Sequence, residues 1–169
     1  PMNYLAHSIL SPDVPAIILG NICGDFVKGS ENPGIDHMVW QGVQLHRTID
    51  GYTDNHPLFL QSRARLSKER RRFAGIIIDV AYDFFLSKHW NNFHSTPREQ
   101  HISTIYSILN QYETLLPVPF IEVKDRIIQW DWLRGYHHLD GIDQTYQSIS
   151  RRFEKRTKRP NPLSDHHIL

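Results

Sequence analysis

The chain predicts an all-α fold, one domain built as a bundle of about seven or eight helices. Three observations carry this. Apolar residues recur at helical spacing almost throughout its 169 residues, and no alternating stretch is long enough for a sheet. Prolines and glycines cut the sequence into runs of helix length. The length suits one core without disulfides, and the single cysteine, Cys23, excludes an internal one.

Taken in order, residues 3–10 form a short first helix stopped by Ser11-Pro12. Asp13 is positioned to cap a second, with Pro15 in its first turn, running toward Asp25 and ending near Gly29. Gly34-Ile35-Asp36 opens a third that carries Met38, Val39, Val43, Leu45 and Ile49 to about Thr53. His56-Pro57 breaks it, because a residue before proline disfavours helix. Residues 58–66 read as a fourth, and 68–90 as a fifth and longest, basic at its start and apolar in the middle. Ser95-Thr96-Pro97 starts a sixth over 98–116, and Pro117-Val118-Pro119 ends it. Residues 120–132 and 140–156 make two more, with Gly135 and Gly141 as stops between them. The Arg159-Pro160-Asn161-Pro162 tail cannot continue a helix. Tyr82, Trp90, Trp130 and Trp132 are expected in the core, as aromatics at helical spacing usually are.

No apolar run is long enough to span a membrane, and the start lacks the regions of a signal peptide, so a cytoplasmic protein is expected. Pro1, ahead of Met2, reads as a leftover of expression and is set outside the fold. The net charge of +1 hides an asymmetry: residues 63–72 and 151–159 each carry six Lys/Arg and one Glu, leaving −9 for the rest. Such runs are either solvated helix faces or, as Arg63, Arg65, Lys68, Arg70, Arg71 and Arg72 suggest, a docking surface for an acidic partner. No aromatics interleave with this run, which speaks against nucleic acid.

The chemistry lies in acids and a histidine spaced one helical turn apart. His46 precedes Asp50 by four residues, and Asp79 precedes Asp83 by four, the latter pair interrupting the apolar strings Ile76-Ile77-Ile78 and Phe84-Phe85-Leu86. Buried carboxylates need a charge partner, either a divalent cation between facing helices or an ion pair with Arg47, Arg71 or Arg72. One imidazole with several carboxylates suits Mn²⁺, with Mg²⁺ as a substitute. Such an ion generates hydroxide near neutral pH and shields phosphate charge, so phosphoester hydrolysis is the natural reaction class. Asp25, flanked by glycines, is a further ligand candidate or a turn cap, and Asp54 and His56 form a second tier.

Four strings then become familiar together: Met2-Asn3-Tyr4-Leu5-Ala6-His7; Gly20-Asn21-x-x-Gly24-Asp25-Phe26-Val27-Lys28-Gly29; Gly42-x-x-Leu45-His46-Arg47-x-Ile49-Asp50-x-x-Thr53-Asp54; and Asp79-x-x-x-Asp83-x-Phe85-Leu86-x-x-His89-Trp90. With Trp132-Leu133 and Tyr136, they resemble the acyl carrier protein phosphodiesterases from Met2 to about Arg159. The resemblance implies a metal-dependent hydrolase, favouring Mn²⁺, that removes 4′-phosphopantetheine from the serine of holo acyl carrier protein. It also implies likeness to divergent HD-type phosphohydrolases, although this chain has no adjacent His-Asp pair at the expected place. On this reading Asp25, His46, Asp50, Asp79 and Asp83 hold metal, Arg47 stabilises phosphate charge, and His7 or His89 protonates the leaving group. Family chains usually continue with another helix, which is expected to be missing here. The rival readings are a hydrolase of nucleotides or other small phosphoesters, and a non-enzymatic helical module that binds an acidic partner.

Overall fold

In a computed structural model, which describes residues 3–30, 33–135 and 137–164, the described residues form nine α-helices and no strand. They are α1 (Tyr4–Ile9), α2 (Pro15–Cys23), α3 (His37–Asn55), α4 (Pro57–Arg65), α5 (Ala74–Lys88), α6 (Arg98–Gln111), α7 (Val118–Gln129), α8 (Trp132–Gly135) and α9 (Leu139–Thr157). The expectations for Pro1, Tyr136 and the end of the tail lie outside the described residues. No helix among those described is long and apolar enough to cross a membrane.

The helix order follows the sequence reading, and the differences have local causes. α2 starts without a side-chain cap, Val14 rather than Asp13 standing at its N-cap, and it stops at Cys23, where Gly24–Phe26 tightens into a 3-10 turn. Asp36 does cap α3, accepting from the backbone N–H groups of Met38 and Val39 at 2.9 and 3.1 Å. The fifth helix begins at Ala74 rather than at residue 68, because the Arg71 guanidinium folds back onto the carbonyls of Leu66 and Ala64 and closes a turn. Residues 120–132 do not run as one helix: Asp131, at φ 50°, separates α7 from α8. Gly141 is no stop. It lies inside α9, where an added Cβ would come within 2.2 Å of the Gly135 carbonyl oxygen, so it is small to let α8 approach. Trp90 is buried and Trp132 half-buried, whereas Tyr82 and Trp130 are exposed.

The main core joins α1, α2, α3, α6 and α7 through Leu5, Leu19, Ile22, Val43, Ile105 and Phe120. A second cluster packs α5 on α9 through Ile77, Val80, Ile142 and Tyr146, whose hydroxyl donates to the Ile77 carbonyl at 2.7 Å. The crossing of α2 and α3 positions the site. A Cβ on Gly20 would meet the Val39 carbonyl oxygen at 1.9 Å, and one on Gly42 would meet that of Ile17 at 2.2 Å. Two backbones therefore touch where both helices carry glycine.

Candidate metal centre

Because α2 and α3 approach so closely, Asn21 of the first lies directly under His46 of the second. The His46 Nδ1–H donates to the Asn21 backbone carbonyl at 2.7 Å. The Asn21 side chain, fully buried, reaches the other way: its Nδ2 donates to the His7 carbonyl at 2.8 Å and to Ser11 Oγ at 2.9 Å. That leaves its Oδ1 to accept the His7 Nδ1–H at 2.8 Å. Both imidazoles thus carry a proton on Nδ1 and turn Nε2 the same way, with the rings stacked at 4.2 Å between centroids.

Both Nε2 atoms are buried without a hydrogen-bond partner. What they face is acid. Asp50 Oδ1 stands 3.3 Å from His7 Nε2, Asp50 Oδ2 stands 3.2 Å from His46 Nε2, and Asp25 Oδ1 stands 3.5 Å from His46 Nε2. Ligand atoms of His7, His46 and Asp50 all lie within 4.8 Å of one another, and such a cluster can hold a metal ion. Two buried, unpartnered imidazole Nε2 atoms converging with carboxylates form a donor set that, once a cation displaces the proton on Nε2, fits a divalent ion.

The electrostatics point the same way. Burial alone would lower His46, but the carboxylates of Asp25 and Asp50 beside it outweigh burial and push it up to about 10. Burial likewise opposes ionisation of Asp50, yet His46 and His7 hold it well below the usual carboxylate range. Asp79, on α5, is pushed up to about 7 by burial and by the negative charges of Asp50, Asp54 and Asp25.

A family model described as acyl carrier protein phosphodiesterase matches residues 2–167. The chain belongs to the acyl carrier protein phosphodiesterase family. A protein of that name from Photorhabdus laumondii is 33% identical over 154 residues, 89% of this chain and 77% of the relative. One from Salmonella agona is 32% identical over 155 residues, 89% of this chain and 79% of the relative. No solved structure matches.

The phosphodiesterase strings seen in the sequence come together in space, bringing His7, Asn21 with Asp25, and His46 with Asp50 to one point, with Asp79 in electrostatic reach. The remaining sequence candidates lie elsewhere. Asp83 is fully buried, and its two oxygens accept the N–H groups of Leu5 and Ala6 at 3.2 and 3.0 Å, capping the first turn of α1. Burial, the largest influence, raises Asp83 well above the usual carboxylate range despite these donors. Arg47 directs its fork to the carbonyls of Gly29 and Val27 at 2.9 and 3.0 Å and lies over the Trp40 ring. Asp54 is exposed one turn beyond Asp50, and His56 caps α4 by accepting from the Leu58 N–H at 3.2 Å. His89 sits at the C-terminal end of α5, some 15 Å along the helix from Asp79.

Among the basic residues, Arg63, Arg65 and Lys68 are exposed, and Arg72 stacks on Phe73. α4, which carries the first two, packs on α3 and α5, the helices of Asp50 and Asp79. Asn21 is the residue the sequence reading assigned no role. Its signal was its place beside Gly20 in the Gly20-Asn21-x-x-Gly24-Asp25 string, where close backbone approach is needed.

Proposed function

We propose that this chain hydrolyses the phosphodiester that joins 4′-phosphopantetheine to the serine of holo acyl carrier protein, with a divalent cation, Mn²⁺ by preference and Mg²⁺ as a substitute, in the cluster. The observation that carries the cation is the pair of buried, unpartnered Nε2 atoms of His7 and His46 aimed at Asp50. His7, His46, Asp50 and Asp25 would hold the ion, and Asp79 would complete the set from α5. When bound, it lowers the pKa of water and neutralises phosphate charge.

The chain's own residues do the positioning. Asn21 fixes the tautomer of both histidines, so that Nε2 rather than Nδ1 meets the ion. With its Nε2 aimed at Asp50, His7 serves as a ligand rather than as a proton donor. Asp83, both oxygens taken by α1, serves the site by fixing the helix that carries His7. The exposed arginines of α4 adjoin the helices of the cluster, and an acidic carrier protein would be steered to them.

The test is mass spectrometry of holo acyl carrier protein incubated with this protein and Mn²⁺. Loss of the phosphopantetheine mass, sensitive to salt and abolished in His46→Ala, is expected. An unchanged mass with Mn²⁺, Mg²⁺, Fe²⁺ and Zn²⁺ would overturn the reading. Turnover of small phosphoesters without any action on the carrier would instead favour a general phosphohydrolase.

A further inference from the structure

Asp25 is the one proposed ligand that no α-helix carries. It stands in the 3-10 turn Gly24–Phe26, just past the end of α2, and its Oδ1 lies 3.5 Å from His46 Nε2 with the side chain 30% exposed. A carboxylate on so short a turn is only as well placed as the backbone around it. Several contacts hold that backbone. The Val27 N–H donates to the Gly24 carbonyl at 3.2 Å, and the Phe26 ring meets Phe120 of α7 edge-on at 5.1 Å between centroids. A further contact comes from α3. Arg47, the residue after His46, donates through Nη2 to the Val27 carbonyl at 3.0 Å and through Nη1 to the Gly29 carbonyl at 2.9 Å.

This is the geometry of a clasp. Gly29, at φ 76°, has a backbone conformation that glycine adopts without strain, and its carbonyl shares one planar fork with that of Val27. The guanidinium lies 5.1 Å from the ring centroid of Trp40, a buried residue two turns earlier on α3, which steadies the fork. A guanidinium with both Nη atoms given to backbone does not offer a phosphate a bidentate grip. Its charge, next to His46, repels a cation, so charge alone would weaken the metal centre. What the fork does hold is the exit of the Asp25 turn, pinned to the helix that carries His46 and Asp50.

We propose that Arg47 is a positioning residue: by clasping Val27 and Gly29 onto α3, it keeps the Asp25 carboxylate at the Nε2 of His46. Its effect on a bound cation runs through Asp25. The ligand role of Asp25 rests on the function proposed above, whereas the clasp belongs to the chain without metal.

The experiment is a double-mutant cycle on the full chain, read by calorimetric titration with Mn²⁺, with NMR relaxation of the metal-stripped protein beside it. Arg47→Ala should lower Mn²⁺ affinity about ten-fold, the scale of losing an outer partner of a ligand. A residue acting only by its charge, or only on phosphate, gives the opposite sign or no change, because its removal takes away a repulsion. In an Asp25→Asn background, Arg47→Ala should change affinity by less than about two-fold. Arg47→Lys keeps the charge but cannot fork, so most of the loss should remain; it also carries the test should Arg47→Ala not fold. In the metal-free protein the amide order parameters of Val27, Lys28 and Gly29 should fall in Arg47→Ala, while those of residues 20–23 hold. Unchanged or tighter Mn²⁺ binding in Arg47→Ala, an equal loss in the Asp25→Asn background, full rescue by lysine, or unchanged order parameters would each overturn the proposal. A parent protein that binds no Mn²⁺ would overturn the metal reading instead, and the order parameters would still decide the clasp.

Discussion

Asn21→Ala puts the logic of the metal centre to its sharpest test, because one side chain there serves the fold and the ligands at once. Truncation removes the acceptor of the His7 Nδ1–H and the donor to the His7 carbonyl and Ser11 Oγ. The His7 carbonyl keeps its bond from Ser11 Oγ at 2.9 Å, so the group left unpaired is the imidazole N–H. One unsatisfied buried donor costs about 1–3 kcal/mol and the two lost hydrogen bonds about 1 kcal/mol each, giving a total of about 3–5 kcal/mol. For a chain of this size that lowers Tm by about 10 °C. The ligand effect is distinct. Without its acceptor, His7 is free to move its proton to Nε2, which cannot then bind a cation, whereas His46 keeps its partner because that partner is backbone. Mn²⁺ affinity should fall about 10- to 100-fold, as measured by calorimetric titration. Ser11→Ala is the control: it loosens the same network without touching His7 Nδ1, so Tm should fall while Mn²⁺ affinity holds. An Asn21→Ala protein that loses stability yet binds Mn²⁺ within three-fold of the parent would refute the reasoning.

Three other outcomes are expected. Gly20→Ala drives a Cβ into the Val39 carbonyl, where backbone cannot yield, and should cost more than about 4 kcal/mol in a thermal melt; Gly24→Ala presses on the His46 ring at 2.3 Å and should cost metal affinity more than stability. His101 is pushed down to about 4 by burial and by the charge of His94, so the unfolded chain takes up a proton that the folded one refuses. Stability is then full above about pH 6.5 and falls between there and about pH 4, by about 1–2 kcal/mol after solvent screening of a half-buried ring; denaturant melts of His101→Gln should lose that slope. Cys23, fully buried and with its thiol pushed up to about 12 by burial, should not react with a disulfide reagent until the protein is unfolded.

Helices were legible wherever periodicity and punctuation agreed, as at Asp36 or His56-Pro57. The reading failed where a tertiary contact decided the boundary: Arg71 folding onto two carbonyls, or Gly141 kept small by α8 rather than ending a helix. The site was legible by residue type but not by partner. Four-residue spacing joined His46 to Asp50, a local relation, but nothing local says that His7, on a six-residue helix, stacks on His46. The same spacing paired Asp79 with Asp83, although Asp83 looks across at α1. Asn21 stayed silent because its role rests on a glycine-mediated helix crossing, which no single segment contains.

The cap that Asp83 places on α1 bears on the order in which the molecule assembles. A six-residue helix is far below the length that holds in isolation, and its own N-cap, Asn3, contributes no side-chain bond. The carboxylate that caps it comes from 77 and 78 residues away in the chain. His7 therefore takes its place only after α5 has been synthesised and has docked. A nascent chain that has emerged only as far as Asp50 holds four of the five proposed ligands but not the carboxylate that fixes the helix of His7, so the full set is expected to assemble only once the bundle has closed.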